Sequence, residues 1–294
     1  MKKLIFTDPH IEEKALDELD VIFNEIYNTK EEADALYMLG DYFEKKKPTP
    51  REILFGTKWA VKFKKKFKNV LFLEGNHDRT EDFSTVDYLE YLGIKIVSEL
   101  TEDNIMFGHF MTNKSMMDYG THRYTVTQLK KYDLVLLGHQ HQPQKIDNNI
   151  IHLGSIRYTS FNEVQDKCKF YYILEDTKLK EIPLKTPIKM YEISPKDCED
   201  YTEEALSKIP NKSKVRVVYT NYEIFKSEIN NIQRWKDKFL ELKIKLDFDK
   251  PKVELKDTKE QKKLVEILEE GIKKIKDKDV KKLIQEVIES GSNT

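Results

Sequence analysis

The amino-acid sequence predicts an α/β fold in which a layered sheet alternates with helices. Short apolar runs recur through the first half of the chain, and they are continuous rather than alternating, as is typical of strands buried on both faces. Amphipathic stretches lie between several of these runs, and each of five runs is followed directly by a short polar motif. Strand–helix alternation indicates a sheet whose strand ends share one edge, where binding sites of such folds lie.

The predicted elements follow one another in a regular order. The apolar runs that predict strands are residues 4–6, 35–39, 70–73, 104–107 and 134–137. Two stretches repeat apolar side chains at helical spacing, which indicates helices with one buried face. These side chains are Leu16, Leu19, Phe23 and Ile26 in the first stretch and Ile53, Trp59, Phe63 and Phe67 in the second. Lysines between residues 62 and 68 are expected to cover the solvated face of the second helix.

The second half of the chain has a different organisation. Residues 169–174 predict a last strand of the first domain, and residues 187–249 predict a strand, helix, strand, helix and strand that form a small separate module. Pro251 breaks the chain, and an amphipathic helical tail follows from Thr258. We therefore expect a first domain at 1–185, a second at 186–250 and a tail at 251–294.

Composition sets wide limits on function. Charged residues make up 35% of the 294 residues, but the two signs nearly cancel to a net charge of -1, which argues neither for nor against nucleic acid. The two cysteines, Cys168 and Cys198, are too few for a disulfide framework or a cysteine zinc site, so a reduced, cytoplasmic setting is expected. The first apolar run stops at Asp8, and no stretch approaches the roughly 20 apolar residues of a membrane span.

Five motifs carry the chemistry. They place Asp, Asn and His, often beside glycine, directly after five predicted strands, and they hold five of the seven histidines. Carboxylate, amide oxygen and imidazole are ligands of Mn, Fe and Zn, and two such ions can clamp a phosphate and activate water. The motifs are Asp8-Pro9-His10, Gly40-Asp41-Tyr42-Phe43-Glu44, Gly75-Asn76-His77-Asp78, Gly108-His109 and Gly138-His139-Gln140-His141.

The motifs differ in how strongly each one indicates a site. Asp-x-His alone is a weak signal, whereas Gly-Asn-His-Asp and Gly-His-x-His after buried strands are strong, and five in order are hard to explain as core packing. His122 and His152 fall outside the pattern and are expected to be structural or surface residues. The lysines at 62–68 are expected to be solvated rather than to contact DNA, while Lys45–Lys47 adjoin a motif and fit either interpretation equally.

In this order, the motifs resemble those of the calcineurin-like metallophosphoesterases over residues 1–175. Within that superfamily, residues 40–50 and 153–163 are similar to segments of the SbcD-type nucleases, the family that includes the meiotic recombination nuclease. The domain order is also similar, and the short chain resembles compact phage or bacterial members. The resemblance implies a four-layer α-β-β-α sandwich, a small α/β capping module and a C-terminal helical tail.

The resemblance also implies a role for each motif residue. Its two Mn²⁺ ions, for which Mg²⁺, Fe²⁺ or Zn²⁺ could substitute, would share Asp41 as a bridging ligand. His77 would protonate the leaving oxygen or stabilise the pentacovalent phosphate. The ligands of one ion would be Asp8, His10, Asp41 and His141, and those of the other Asp41, Asn76, His109 and His139.

Two positions depart from the pattern of the family. Glu12 stands where the family usually has glycine, and Glu44 stands where relatives have histidine or aspartate. We hypothesise that the Glu44 carboxylate hydrogen-bonds His77 and raises its pKa, which would keep His77 protonated as an acid. Glu44 and His77 are therefore the predicted catalytic residues.

The function that follows is a metal-dependent DNA nuclease, active as a 3'-5' double-strand exonuclease and a single-strand endonuclease. It would act with an SMC-like coiled-coil ATPase in double-strand break repair or recombination, as a homodimer formed through helices of the first domain. The tail residues expected to bind the ATPase are Leu264, Leu268, Ile272 and Ile275. The residues expected to contact DNA are Lys45, Lys46, Lys47, Arg51, Arg79 and Arg157.

Two other functions remain open at this point. A phosphatase or phosphodiesterase acting on a small molecule or a phosphoprotein would use the same seven ligands, so the ligands cannot distinguish it from a nuclease. The capping module, the tail and residues 153–163 favour the nuclease. A non-catalytic scaffold with a relic site is disfavoured, because relics usually lose ligands and every ligand position here is filled.

Overall fold

The structure is a computed structural model that describes residues 1–116, 122–195 and 201–247. Contacts group Met1–Asp247 into one compact unit. The predicted tail at 251–294, including Leu264, Leu268, Ile272 and Ile275, lies outside the described residues. The predicted boundary between a first domain and a capping domain stays a prediction.

The described residues form strands and helices in alternation. The strands are β1 Lys3–Phe6, β2 Ala35–Met38, β3 Asn69–Leu73, β4 Lys95–Val97, β5 Glu99–Glu102, β6 Ile105–Gly108, β7 Leu134–Leu137, β8 Gln144–Asp147, β9 Ile150–His152, β10 Phe170–Glu175, β11 Lys178–Pro183, β12 Met190–Ile193, β13 Lys214–Tyr219 and β14 Glu241–Leu246. The α-helices are α1 Leu16–Tyr27, α2 Pro50–Lys66, α3 Val126–Leu129, α4 Tyr201–Lys208 and α5 Tyr222–Ile232. Short 3₁₀ helices cover Glu13–Ala15, Asp87–Leu92, Phe161–Glu163 and Gln233–Lys238.

Two sheets form the body of the molecule. The first has the strand order β11-β10-β1-β2-β3-β4, and the second has the order β5-β6-β7-β9-β8. Strands β1 to β4 run parallel to one another, while β10 pairs antiparallel with β1. In the second sheet, β6, β7 and β9 are parallel. The carboxyl ends of the parallel strands in each sheet therefore lie together at one edge.

The core explains why the sheets stack. Ile5, Tyr37 and Leu71 of the first sheet share one buried apolar cluster with Phe107 and Leu136 of the second. The opposite faces of the same strands pack elsewhere, so both faces are buried and the sequence runs are continuously apolar. This confirms the predicted α/β fold of stacked layers.

Helices cover the outer faces of both sheets. Leu4 and Phe6 of β1 share a second cluster with the buried face of α1 and with Trp59 and Phe63 of α2. On the far face of the second sheet, Val135 packs with α3, which is only four residues long. The four layers are therefore unequal, with long helices on one side and a single turn on the other.

The two predicted helix faces are confirmed with one correction. Residues Leu16, Leu19, Phe23 and Ile26 of α1 are all buried. In α2, Trp59 and Phe63 are buried, but Ile53 is 38% exposed, and Gly56 and Ala60 lie on the buried side instead. Ile53 belongs to the first turn of α2, which begins at Pro50.

The strands and helices predicted for residues 187–249 are present as β12, β13 and β14, a parallel three-stranded sheet connected by α4 and α5. Met190 of β12 packs on Tyr158 and Phe161, so the module contacts the segment that follows β9. The sequence does not reveal strands β4, β5, β8, β9 and β11. These strands are short or polar, and most of their residues are only half-buried or exposed, so no apolar run marks them.

Candidate metal centre

The five motifs lie where the sequence predicts, at the carboxyl ends of β1, β2, β3, β6 and β7. Backbone hydrogen bonds join the first two loops, because the amides of Asp8, His10 and Ile11 donate to the carbonyls of Gly40, Asp41 and Tyr42. The amide of Gly138 donates in the same way to the carbonyl of Gly108. The loops therefore support one another at a single edge.

Glycines in the motifs make room for the site. A Cβ atom at Gly40 would lie 2.2 Å from Nδ1 of His109, and one at Gly75 would lie 2.0 Å from Oδ1 of Asp41. Gly40 also has a φ of +97°, a conformation that residues with a side chain rarely adopt. The close approach of neighbouring loops thus explains these glycines.

The backbone of the motifs is strained where the polar side chains are presented. Asp8, His10, Asp41 and His139 have positive φ angles of 53°, 48°, 53° and 79°. Such a conformation costs a non-glycine residue about 1–2 kcal/mol and persists only where its surroundings impose it. Four of the eight non-glycine residues with positive φ among the described residues therefore lie in three neighbouring motif loops.

The first group of donor atoms comes from Asp8, His10 and His141, whose donor atoms lie within 4.8 Å of one another. The Nε2 atoms of His10 and His141 are 2.9 Å apart, and the Asp8 Oδ1 atom lies 3.7 Å from the first and 3.9 Å from the second. Asp41 Oδ2 is 3.6 Å from His10 Nε2. Two imidazoles and two carboxylates therefore converge on one point.

The second group comes from Asp41, His109 and His139. His109 Nε2 lies 3.2 Å from Oδ2 of Asp41 and 3.3 Å from Oδ1 of the exposed Asn76. Asp41 contacts both groups with the same oxygen, Oδ2, a placement that allows its carboxylate to bridge two ions.

Hydrogen bonds fix which imidazole nitrogen faces each group. Nδ1 of His109 lies 2.7 Å from the Leu39 carbonyl oxygen, and Nδ1 of His77 lies 2.6 Å from the Glu44 carbonyl oxygen. A carbonyl can only accept, so each Nδ1 carries a hydrogen and each Nε2 is left with its lone pair when the ring is neutral. His109 is thus prepared to bind a cation through Nε2.

His141 is held by a longer chain of buried groups. Its Nδ1 lies 2.6 Å from Oγ1 of Thr159, which donates to Oε1 of Glu163 at 2.6 Å. Glu163 in turn accepts from the buried Lys169 at 2.6 Å. Thr159 and Glu163 belong to the segment similar to the SbcD-type nucleases, and in the structure that segment orients the ring of His141.

Glu44 requires a correction. Its carboxylate, expected to hydrogen-bond His77, instead lies 2.8 Å from Nδ1 of His10. The ring of His77 is hydrogen-bonded to the backbone carbonyl of Glu44 and not to its carboxylate. At the end of the second motif, the side chain of Glu44 points toward His10 while its carbonyl points toward His77, and the sequence alone does not reveal these directions. Glu44 therefore pairs by charge with the candidate ligand His10, but the contact lacks hydrogen-bond geometry, and Nδ1 of His10 has no hydrogen-bond partner among the described residues.

Asp78 is a site residue that the sequence analysis left without a role. It is fully buried, and its carboxylate accepts hydrogen bonds from the amides of Tyr42, Phe43 and Gly75. Burial and the neighbouring Asp41 raise the pKa of Asp78 to about 6, against the effect of the three amides. Asp78 thus fastens the second and third loops together; its position at the end of Gly-Asn-His-Asp was the available signal.

The histidines and carboxylates of the centre perturb one another. Burial acts to lower the pKa of His10 and His109, but the neighbouring carboxylates outweigh it and raise these pKa values to about 10 and about 9. Burial acts to raise the pKa of Asp41, yet His109 holds it at about 2, and the pKa of Asp8 lies lower still. Burial and His109 lower the pKa of His139 to about 4.

The donor set fits a pair of divalent cations. Asp8 and Asp41 stay ionised, so the centre presents buried negative charge that is balanced by protons on histidines. A buried charge requires a partner, and a cation facing carboxylate, amide oxygen and imidazole would be one. Asp8, His10 and His141 would hold one ion, Asn76, His109 and His139 the other, and Asp41 would touch both.

The basic residues expected to contact DNA divide into two classes. Lys45, Lys46, Lys47, Arg51 and Arg79 are all exposed. The lysines directly follow Glu44, so they lie beside the centre. Arg79 forms an ion pair with Glu74 at 3.3 Å.

Arg157, also expected to contact DNA, is buried instead and requires a correction. It is only 1% exposed, and its guanidinium donates to the carbonyls of Pro9 and His10 and to the carboxylate of Glu12. A side chain with these partners is not available to a phosphate. The carboxylate of Glu12, a position at which the resemblance implies glycine, is held by this contact at 2.8 Å.

The two histidines outside the motifs behave as expected. His122 is exposed. His152 is fully buried, with Nδ1 3.0 Å from the Gly138 carbonyl oxygen and Nε2 2.8 Å from Oγ of Ser115. Burial lowers the pKa of His152 to about 4, so this ring is neutral and structural.

No helix among the described residues has the length and apolar character needed to cross a bilayer.

Comparison with known proteins adds a family to this geometry. The family profile described as calcineurin-like phosphoesterase matches residues 1–284. Among curated proteins, the SbcD component of the nuclease SbcCD of Staphylococcus epidermidis is 36% identical over 118 residues, which are 38% of this chain and 28% of that protein. The match thus spans under a third of that relative.

Similar solved structures include two proteins with named activities. The Escherichia coli phosphoesterase Yfce aligns with a TM-score of 0.36 and 16% identity over 63% of this chain and 100% of its own. The Pseudomonas putida nuclease MPE aligns with a TM-score of 0.31 and 18% identity over 61% and 87%. The hypothetical protein PH1004 of Pyrococcus horikoshii OT3 aligns with a TM-score of 0.42 and 14% identity over 70% and 92%.

Proposed function

Because this chain belongs to the calcineurin-like phosphoesterase family, whose members hydrolyse phosphoesters with divalent metals, we propose that it is a two-metal DNA nuclease. The observation that carries this proposal is the convergence of two donor groups on one oxygen of Asp41, beside the anchored ring of His77. The proposed activities are 3'-5' exonuclease action on double strands and endonuclease action on single strands.

The residues of the centre divide the work of hydrolysis. Bound divalent cations, Mn²⁺ in this proposal, would neutralise the scissile phosphate and lower the pKa of a water molecule. His141 is held in place by Thr159 and His109 by the Leu39 carbonyl, and His10 is buried beside the Glu44 carboxylate, so the imidazoles need little rearrangement to bind. Donors that are fixed in advance make the site effective, because no energy is spent on ordering them during the reaction.

His77 is the proposed general acid. Its ring centre lies 5.0 Å from that of His10, and its half-buried side chain is fixed through Nδ1 to the Glu44 carbonyl. Nε2 is therefore the atom that can carry a proton to the leaving oxygen of the phosphodiester. Loss of a positioned general acid typically lowers the rate about 10²- to 10⁴-fold.

DNA is the proposed substrate for two reasons. The curated relative that matches 38% of this chain is a component of a nuclease. Exposed Lys45, Lys46 and Lys47 adjoin the centre, and lysines contact phosphates through charge without reading sequence. A backbone nuclease needs only such contacts.

Two partners are proposed as well. The name of the relative places it in a complex of more than one kind of chain, and we propose that the tail of this chain, residues 251–294, binds the coiled coil of an SMC-like ATPase. Val21 on α1 and Leu54 on α2 are 51% and 71% exposed, which supports a homodimer formed through these helices. Removal of the tail tests the proposed docking to the ATPase. Truncation at Pro251 should abolish ATPase capture while leaving Mn²⁺ binding intact; capture by the truncated protein would contradict the docking proposal.

A cleavage assay tests the proposed activity. The protein is freed of metal with a chelator and incubated with linear double-stranded DNA, circular single-stranded DNA and a mononucleotide ester, each with and without Mn²⁺. We expect Mn²⁺-dependent cleavage of both DNAs, lost in His77→Asn and retained in His122→Asn, whose histidine lies outside the centre. Turnover of the mononucleotide ester without cleavage of DNA would instead favour a small-molecule phosphatase.

A further inference from the structure

Arg157 is the most fully buried arginine of the described residues, and its surroundings are unusual. Its side chain is 2% exposed and donates from Nε to the Pro9 carbonyl at 3.0 Å and from Nη2 to the His10 carbonyl at 3.1 Å. The same Nη2 donates to Oε1 of Glu12 at 2.8 Å. One side chain thus closes the loop that presents two of the candidate ligands, Asp8 and His10.

The loop needs this support because its own backbone does not supply it. The amides of Asp8, His10 and Ile11 are satisfied by the second motif, but the carbonyls of Pro9 and His10 face Arg157. Asp8 and His10 are both in the left-handed conformation, with φ angles of 53° and 48°. Without the guanidinium, two buried carbonyls would lose their donors and the strained loop could relax.

We propose that Arg157 is a positioning residue for the metal centre: it holds the Asp8–His10 loop in its strained conformation and so sets the affinity of the ion that His10 binds. The carboxylate of Glu12 balances the buried positive charge of the Arg157 guanidinium. The inference rests on the two-ion centre of the proposed function, and it does not depend on the identity of the substrate.

A positioning role and a simple charge effect predict opposite results. Arg157 is always protonated, so by Coulomb's law its removal should favour the binding of a nearby cation. If Arg157 instead acts by holding the loop, its removal should weaken binding despite the loss of a positive charge. The sign of the change in Mn²⁺ affinity therefore separates the two explanations.

Lys214 provides a matched control for this experiment, because it shares the carboxylate of Glu18 with Arg157. The environment of Glu18 shows this. Its buried carboxylate accepts from Nζ of Lys214 at 3.1 Å and from the amide of Ile188 at 3.0 Å, and it lies 3.9 Å from Nη1 of Arg157. Lys214 therefore pairs with the same carboxylate as Arg157 but makes none of the contacts to Pro9 or His10. Lys214→Met removes one positive charge and leaves the loop held.

Calorimetric titration of the chelator-treated full chain with Mn²⁺ tests the proposal. We expect two bound ions in the wild type and in Lys214→Met. In Arg157→Met we expect one ion to bind as in the wild type and the other roughly 10- to 100-fold more weakly, as is usual when support of a ligand is lost. Circular dichroism at the same temperature checks that each variant is folded.

Arg157→Lys covers the case in which Arg157→Met does not fold. Lysine keeps the charge beside Glu12 but has no planar fork to hold both carbonyls at once, so one ion should again bind more weakly than in the wild type. Binding of both ions with wild-type or higher affinity by a folded Arg157 variant would overturn the proposal. A wild type that binds no Mn²⁺ would instead refute the two-ion centre itself.

Discussion

At the scale of single residues, the centre depends on side chains that touch no substrate. His109 and His141 are each hydrogen-bonded through Nδ1, to the Leu39 carbonyl and the Thr159 hydroxyl, whereas Nδ1 of His10 lies 2.8 Å from the Glu44 carboxylate without hydrogen-bond geometry. Two unrelated hydrogen bonds on two imidazoles indicate that the surroundings fix the orientation of these rings. The identity of each partner follows from tertiary structure, so sequence motifs show the histidines but not their supports.

Glu44→Gln should weaken Mn²⁺ binding. The Glu44 carboxylate lies 2.8 Å from Nδ1 of His10, and its negative charge makes that imidazole a better ligand. A neutral amide should lower the affinity of the His10 ion roughly tenfold or more, measured by Mn²⁺ titration. Glu74→Gln, at an exposed ion pair with Arg79, is the control. Unchanged metal affinity together with lost activity would restore the hypothesis that Glu44 acts on His77.

His152 should make stability depend on pH. Its pKa is about 4 in the fold, against an ordinary value of 6.5, so the unfolded chain binds the proton more readily. Its contribution to stability is complete above pH 6.5 and is lost as the pH falls toward 4, by about 1.4 kcal/mol per pH unit within that window.

His152→Gln is the variant that isolates this effect, because glutamine can donate and accept but does not titrate. Chemical unfolding in chelator from pH 7 to pH 4 should show the stability difference between wild type and variant shrinking as the pH falls. A difference that stays constant across this range would contradict the assignment of His152 as a neutral, buried residue.

At the scale of elements, the sequence predicted most of the architecture around the site. The five strands that lead into motifs, the helices α1 and α2, and the order of β12 to β14 are confirmed, because buried apolar runs and helical spacing mark them directly. Strands such as β5, with the half-exposed sequence Glu99–Glu102, leave no such mark. They are formed by pairing with a neighbour, which is a tertiary effect.

The sequence predicts which residues lie together at the candidate site, but it does not predict the partners of Arg157 and Glu44. The motif residues lie together, as the sequence predicts, because parallel strands bring their carboxyl ends together; their roles as ligands stay a prediction. Arg157 was misassigned as a DNA contact and Glu44 as a partner of His77, because the direction in which a loop side chain points is decided by contacts far along the chain. Arg157 meets Pro9 across 148 positions of sequence.

Thr49 and Glu52 cap the start of α2 through reciprocal hydrogen bonds. Thr49 accepts from the amide of Glu52 at 3.3 Å, Glu52 accepts from the amide of Thr49 at 2.7 Å, and Thr49 also donates to Glu13. Thr49→Ala removes the cap and should lower the free energy of unfolding by about 1 kcal/mol. Thr57→Ala, within the same helix, should cost less. Equal losses in denaturant unfolding would show that the cap contributes nothing specific.

At the scale of the whole molecule, charge is balanced globally and arranged locally. The net charge is -1, so the total charge of the chain supplies no attraction to DNA. The proposed binding of DNA must therefore rely on local basic residues, of which Lys45, Lys46 and Lys47 directly follow Glu44 of the metal centre.

Replacement of Lys45, Lys46 and Lys47 by glutamine should weaken DNA binding and flatten its salt dependence. Each phosphate contact releases counterions, so each lost contact should lower the slope of log K against log salt by about 1. Matched replacement of Lys62, Lys64 and Lys65, on the solvated side of α2, should leave the slope unchanged. Equal slopes for all three proteins would exclude the Lys45–Lys47 loop from the DNA interface.

We propose that two divalent ions share this edge of the stacked sheets. Anomalous diffraction from crystals soaked in Mn²⁺ tests it most directly. We predict two peaks, one contacted by Asp8, His10 and His141 and the other by Asn76, His109 and His139, with Asp41 contacting both. A single peak, or two peaks away from Asp41, would contradict the account.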